Sequence, residues 1–307
     1  MKKILCVLLV LICVLSFTAC EYVGTVASTE AETEALDGEY VLLSDTGCKH
    51  ALLVDADGKI IAANSTDERM YPASMTKVMT FVVAYENATS LEDRVTITKE
   101  IKNKYPEASR IGIDAGDIMT VEQLLYALLL ESDTDSALAL AEYISGTEER
   151  FAVLMNEKAE ALSLKDTHFA NVTGLHDEDH YTTAREMAKI FDYALEIELF
   201  REIITTDTFV TYLEYYKGTE LKDYRMTFYN TTISNIKGRF SKSSVPLRFG
   251  DGAIIGGKTG FTDEAGYCLA LLVKGRSGEE YILITAGAPT KEKSAEASFK
   301  ICSDYAE

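Results

Sequence analysis

Gly252-Ala-Ile-Ile-Gly-Gly-Lys-Thr-Gly-Phe-Thr262 can be read in two ways, and the choice decides the fold. Gly252 to Thr259 fits G-x-x-x-x-G-K-[ST], the loop that cradles nucleotide phosphates on backbone N–H groups. Lys258-Thr259-Gly260 also fits K-T-G, a motif of serine enzymes that bind the carboxylate of a peptide or β-lactam. A phosphate loop needs a strand before it, a helix springing directly from Lys-Thr, and further βα units carrying a magnesium-binding acid. Here Thr259 leads into Gly260-Phe-Thr-Asp-Glu-Ala-Gly266, read as a turn, and then into an apolar strand. Too few residues remain after Thr259 for the missing units, so the nucleotide reading fails on context.

The K-T-G reading demands an S-x-x-K upstream, at the start of a buried helix. Two matches exist, Ser74-Met-Thr-Lys77 and Ser234-Asn-Ile-Lys237. Ser74 opens a run through Tyr85 that is apolar on nearly every side, the signature of an interior helix. Residues at i and i+3 share a helix face, which sets Lys77 beside the Ser74 hydroxyl. Ser234 lies in a polar stretch ending at Gly238 and reads as loop. Ser74 is therefore the candidate nucleophile and Ser234 the decoy.

The remaining elements frame these motifs. Ala51 to Ala63 is two apolar runs around Asp57-Gly58, a hairpin signal. Thr120-Val-Glu-Gln123 is a capping-box start for a helix through Leu130. A break at Glu131-Ser-Asp-Thr-Asp135 precedes helices over 136–143 and 148–162. Strands over 267–273 and 281–286 and a helix over 291–305 end the chain. Strands at both ends and helices between predict an α+β fold, with an antiparallel sheet built from both chain ends.

The chain has 307 residues, 47% of them hydrophobic, enough for one large domain or two small ones. Its net charge of −19 argues against nucleic-acid binding, because nothing in it would displace phosphate counterions. Met1-Lys2-Lys3 precedes an apolar or small-residue run from Ile4 to Phe17, too short to span a bilayer comfortably but suited to an export signal. Phe17-Thr18-Ala19-Cys20 resembles the lipobox of bacterial lipoproteins, which implies lipidation of Cys20; ordinary cleavage nearby is the alternative. Residues 21–38, with Thr29-Glu-Ala-Glu-Thr-Glu-Ala35, cannot bury enough apolar surface to order themselves and read as an acidic tether. The globular domain is expected over 39–307. Cys48, Cys268 and Cys302 are too scattered for a disulfide framework or zinc site and read as core or surface thiols.

With these motifs in place, the chain resembles the serine-type D-alanyl-D-alanine carboxypeptidases among the low-molecular-weight penicillin-binding proteins. Tyr71-Pro-Ala-Ser74-Met-Thr-Lys77, Leu128-Leu-Leu-Glu-Ser132-Asp-Thr-Asp135 and Gly257-Lys258-Thr-Gly-Phe-Thr262 fall in that family's order and approximate spacing. Thr167 to His176, His180-Tyr-Thr-Thr-Ala184 and Gly266-Tyr-Cys-Leu269 match family stretches as well. The resemblance covers roughly Gly38 to Tyr305. It implies a β-lactamase/transpeptidase-like fold, no cofactor and no metal. It also implies stem peptides of peptidoglycan ending in D-Ala-D-Ala as substrate, and β-lactams as covalent inhibitors. Ser74, Lys77 and Ser132 take the catalytic roles of nucleophile, base and proton relay. Thr134, Lys258, Thr259, Gly260 and Phe261 belong to substrate binding, Lys258 and Thr259 holding the terminal carboxylate. The backbone N–H groups of Ser74 and Phe261 form the oxyanion hole. A lysine acts as base only if its neutral form is accessible, and lowering it by about three units corresponds to roughly 4 kcal/mol. Lys258 is expected to supply part of that as a like charge. The extra C-terminal β-domain and amphipathic tail of many relatives are expected to be absent, with a lipid on Cys20 holding the protein to the outer face of the membrane.

The second motif departs from the family's Ser-x-Asn. Thr134 offers one donor where a carboxamide offers two, and Asp133 adds a charge. Asp133 is expected to point to solvent; facing Lys77 instead, it would hold the lysine protonated. The alternatives are a catalytically weak lipoprotein that binds muropeptide ends, and a β-lactamase-like hydrolase. Class A β-lactamases add a Glu-x-x-x-Asn that activates the deacylating water, and no glutamate between Glu131 and Glu186 has asparagine four residues on. His176-Asp-Glu-Asp-His180 looks like a set of metal ligands, but no third cluster supports it.

Overall fold

The structure, a computed structural model, describes residues 40–240 and 247–307; the signal, the tether and Cys20 lie outside the described residues. Along the chain run β1 (Val41–Leu42), β2 (His50–Asp55), β3 (Ile60–Asn64) and a 3-10 turn at Ala73–Thr76. Then follow α1 (Lys77–Asn87), β4 (Arg94–Thr96), α2 (Lys99–Lys104), β5 (Asp117–Thr120), α3 (Val121–Leu130) and α4 (Thr134–Ser145). Next come α5 (Glu148–Ala161), α6 (Ala184–Leu195), α7 (Glu198–Thr205), β6 (Thr208–Lys217), β7 (Glu220–Tyr229) and α8 (Thr231–Phe240). The last part holds β8 (Arg248–Phe249), β9 (Gly252–Thr262), β10 (Gly266–Lys274), β11 (Glu280–Ala288) and α9 (Lys291–Tyr305).

Both chain ends do build one sheet, ordered β1-β3-β2-β11-β10-β9-β8 and antiparallel except for the β1–β3 pair. Its strands are apolar on both faces because both are covered. Leu52, Val54, Ala270, Leu272 and Ile284 point into the core that contains α1. Their neighbours Ala51, Leu53, Leu269, Leu271 and Leu283 point the other way, onto Ile236 of α8 and Ile301 and Cys302 of α9. The period-2 alternation of the pleat sorts one sequence run between two cores. Cys48, Cys268 and Cys302 are free and buried.

Three expectations are corrected. Helices do not fill the middle alone: β4-β5-β6-β7 form a second, antiparallel sheet of four strands. The β6–β7 ribbon hides its alternation because its exposed face also carries Val210, Tyr212, Tyr216 and Leu221. The segment after Thr259 is no turn; β9 runs on to Thr262 before the chain reverses, still without a helix. Ser234 sits on α8 rather than in a loop, exposed on that helix.

The capping box foreseen at the start of α3 is present: Thr120 Oγ1 accepts from Gln123 N–H at 3.2 Å, and Gln123 Oε1 accepts from Thr120 N–H at 2.8 Å. Thr120→Ala is expected to cost about 1 kcal/mol. The check is a lower urea midpoint at unchanged m-value.

Candidate active site

Ser74 lies within the 3-10 turn rather than on α1 itself, a correction that matters for chemistry. In 3-10 geometry the i and i+3 side chains eclipse, so Lys77 at the head of α1 comes directly under Ser74. The Lys77 ammonium donates to Ser74 Oγ at 3.0 Å and to the Thr173 carbonyl at 2.7 Å. Ala73, just before the serine, has φ +48°; a non-glycine residue there stores roughly 1–2 kcal/mol of strain. Such outliers gather where a side chain must be aimed.

Lys77 is 1% exposed. Burial pushes its pKa down from 10.5 to about 8, against an opposing pull from Asp133. A fraction of Lys77 is therefore neutral near pH 7, as a base requires. Lys258 is fully buried and donates to Ser132 Oγ at 2.9 Å and to the Thr259 carbonyl at 2.9 Å. Its pKa lies well below 10.5, first through burial and then through the positive charge of Lys77. The expected like-charge effect thus falls on Lys258, whereas Lys77 is lowered by burial.

Ser132 stands at the break between α3 and α4 with φ +59°, a left-handed kink that turns its hydroxyl to Lys258. Asp133 does not point to solvent. It is fully buried and caps α4, because an aspartate oxygen satisfies the free N–H groups of a helix start. Thr134, also buried, lines the cleft.

The third motif reaches the nucleophile by close backbone approach. A Cβ on Gly260 would stand 2.9 Å from the Pro72 carbonyl and 3.1 Å from Ser74 N, so only glycine lets β9 lie against the serine turn. Thr259, Gly260 and Phe261 line the same cavity, of about 470 Å³, as Ser74, Lys77 and Ser132. The Phe261 ring is 48% exposed and packs on Tyr267 at 4.4 Å. Every catalytic and binding residue expected from the sequence is brought to one cleft, except that Lys258 meets it through Ser132; Cys20 lies outside the described residues.

Sequence reasoning missed Asn171. Its Oδ1 accepts from Thr173 N–H at 3.0 Å, Thr173 Oγ at 2.9 Å and Gly174 N–H at 2.8 Å. This Asx turn aims the Thr173 carbonyl at Lys77, and its signal was the Asn-x-x-Gly inside the stretch 167–176. Also missed was α8, which contributes Thr231, Asn235 and Ile236 to the cleft wall.

The two histidines of 176–180 serve packing. His180 Nδ1 accepts from Ala170 N–H at 3.2 Å, which leaves the ring hydrogen on Nε2, 2.7 Å from Thr76 Oγ1. Burial lowers His180 to about 4 and keeps it neutral. His176 packs edge-on against Tyr71 at 4.6 Å. Among the described residues no group of three or more His, Cys, Asp or Glu side chains is placed to hold a metal ion.

A serine under a buried lysine, a second serine tied to a second buried lysine, and a K-T-G strand closing the cleft make a serine acyl-transfer layout. The sequence profile of the D-alanyl-D-alanine carboxypeptidase family matches residues 38–290. The chain is 34% identical over 256 residues to the D-alanyl-D-alanine carboxypeptidase DacF of Bacillus subtilis, covering 81% of this chain and 60% of that one. It is 32% identical over 253 residues to the D-alanyl-D-alanine carboxypeptidase of Streptomyces sp. K15, covering 78% and 80%. The crystal structure of the Streptomyces K15 DD-transpeptidase matches with a TM-score of 0.72 at 27% identity, over 83% of this chain and 95% of that one. The chain belongs to the D-alanyl-D-alanine carboxypeptidase family. It spans about three-fifths of the length of the Bacillus subtilis relative.

Proposed function

We propose that this protein is a serine-type D-Ala-D-Ala carboxypeptidase that trims the stem peptides of peptidoglycan through an acyl-enzyme on Ser74. The observation that carries the reading is the 3.0 Å contact between Ser74 Oγ and a lysine whose charge is destabilised by burial. Neutral Lys77 takes the hydroxyl proton as Oγ attacks the carbonyl between the two D-alanines. The N–H groups of Ser74 and Phe261 receive the oxyanion. Ser132, held by Lys258, passes a proton to the leaving amine, and D-alanine departs. Water then hydrolyses the ester. Lys258 and Thr259 take the terminal carboxylate, which supplies the counter-charge that buried Lys258 lacks; Thr134 lines the same subsite. A β-lactam follows the first half of this path and stays, because no Glu-x-x-x-Asn lies where a class A β-lactamase carries one. The N-terminal sequence supports export and a lipid on Cys20, which places the enzyme on the outer face of the membrane.

The test is a fluorescent penicillin together with D-alanine release from a pentapeptide mimic. Wild-type protein is expected to form a stable adduct and release D-alanine, and Ser74→Ala to do neither. An adduct that survives in Ser74→Ala but disappears in Ser234→Ala would move the nucleophile to α8. An adduct without D-alanine release would favour the binding-only alternative that Thr134 raises.

A further inference from the structure

Glu148 stands in the first turn of α5, 4% exposed, with its carboxylate turned away from its own helix. The start of α5 is served without it. Thr147 caps the helix by accepting from Arg150 N–H at 3.2 Å, and Glu149 adds a second acidic side chain to the first turn. Glu148 Oε1 instead accepts from Val172 N–H at 3.1 Å. Its Oε2 accepts from the Tyr105 hydroxyl at 2.9 Å and from Lys104 Nζ at 2.8 Å. A carboxylate this deep is tolerated only where such partners surround it.

Both segments it joins lead to the cleft. The Tyr105 carbonyl accepts from Ala108 N–H at 3.1 Å and from Arg110 at 2.8 Å, folding the turn whose Glu107, Ala108 and Ser109 line the cavity. Val172 precedes Thr173, the residue whose carbonyl receives Lys77 at 2.7 Å. Val172 is fully buried, and both of its peptide groups are held by side chains. Its N–H goes to Glu148, and its carbonyl accepts from Thr80 Oγ1 at 2.7 Å. Thr80 lies three residues beyond Lys77 on α1, on the same face. Asn171 shapes the loop, while Glu148 and Thr80 fix where it sits against the helix that carries the base.

We propose that Glu148 is a positioning residue for acylation: its buried carboxylate docks the 171–175 loop so that the Thr173 carbonyl steers the Lys77 amine onto Ser74. The inference rests on the roles given to Ser74 and Lys77 above. A neutral lysine has two N–H groups and one lone pair. With one N–H given to the Thr173 carbonyl, the lone pair is free to face the Ser74 hydroxyl at 3.0 Å. A loop that drifts takes the acceptor with it, and a misplacement of about 1 Å costs up to roughly a hundredfold in rate.

Glu148→Leu removes both oxygens at similar volume. At pH 9.5, above the value of about 8 at which burial sets Lys77, its rate constant for penicillin acylation is expected to fall roughly ten- to hundredfold. Glu148→Gln keeps an oxygen for Val172 N–H and is expected to restore most of the rate. A merely structural role would lower the amplitude of labelling, which counts folded molecules, and leave the rate constant of those molecules unchanged. In parallel, the ε-carbon of Lys77 in 13C-lysine-labelled protein, assigned with Lys77→Met, is expected to titrate at lower pH in Glu148→Leu, because an acceptor of the ammonium is displaced. If leucine leaves too little folded protein, Glu148→Asp makes the same comparison with a carboxylate about 1.5 Å short of its partners. An unchanged rate constant, or a glutamine variant as slow as the leucine one, would overturn the inference. A wild type that forms no adduct would instead overturn the nucleophile-and-base reading, and the Lys77 titration would then decide alone whether Glu148 positions that amine.

Discussion

Lys77→Met is expected to melt no lower than wild type at pH 7 while being acylated by penicillin about a thousandfold more slowly. The kinetic loss is that of a general base, which contributes roughly 10²- to 10⁴-fold. The stability arises from linkage. Lys77 drops from 10.5 in the unfolded chain to about 8 in the fold. Between those values the unfolded chain holds more protons, so wild-type stability rises with pH across this window. Below pH 8 the fold carries the full penalty, about 3 kcal/mol. Methionine fills the lysine stem's volume without a charge, but leaves the Thr173 carbonyl without its donor, a loss of about 1–3 kcal/mol. The balance lies between zero and a gain of about 2 kcal/mol at pH 7. It turns against the variant by pH 10, where wild type is relieved of its own penalty. Thermal melts at pH 6, 8 and 10 read this directly. A variant that is much weaker at pH 6 than at pH 10, relative to wild type, would contradict the origin given to the lowered lysine.

The second large effect belongs to a residue with no chemistry of its own. Gly174 has φ +84°, and a Cβ there would lie 1.9 Å from the Ala73 carbonyl oxygen, 2.4 Å from its carbon and 2.9 Å from Ser74 N. These are backbone atoms of the nucleophile turn and cannot swing aside. Gly174→Ala is expected to cost about 3 kcal/mol or more, from the left-handed backbone and overpacking together. It should also end penicillin labelling, because any shift that relieves the clash moves either Ser74 or the Thr173 carbonyl that steadies Lys77. A melt and a labelling gel suffice. A variant that labels normally would mean that the 171–175 loop and the serine turn are not in register as described.

Much of this site was legible because its chemistry sits in short, ordered motifs. Ser74, Lys77 and Lys258 follow from the S-x-x-K and K-T-G motifs in their context, Ser132 follows from the family resemblance, and the apolar run after Ser74 reveals its burial. The two-ended sheet was legible from the Asp57-Gly58 hairpin and the last two strands. What escaped has physical reasons. The β6–β7 ribbon mixes aromatic residues onto its wet face, so its period is blurred. The stretch around Ser234 is polar, yet tertiary contact through Ile236 holds it helical, overriding weak local preference. Asp133 is expected to face solvent as long as the donors that bury it, from Ile111 and Ser136, stay hidden, and spacing does not disclose them. Asn171 acts through backbone geometry, which leaves only a faint trace in sequence.

The pairing of β2 with β11, and of the Ser74 turn with β9, carries a consequence for how the protein comes into being. A chain emerging from its N-terminus presents the nucleophile segment long before the strands that complete its surroundings exist. Contacts of such long sequence separation make folding slow. Until β9 to β11 arrive, the apolar faces of β2, β3 and α1 have no native cover and need protection from aggregation. The Ser74 turn thus exists for most of synthesis without the strand that packs against it, and the cleft is complete only when β9 and its neighbours have docked.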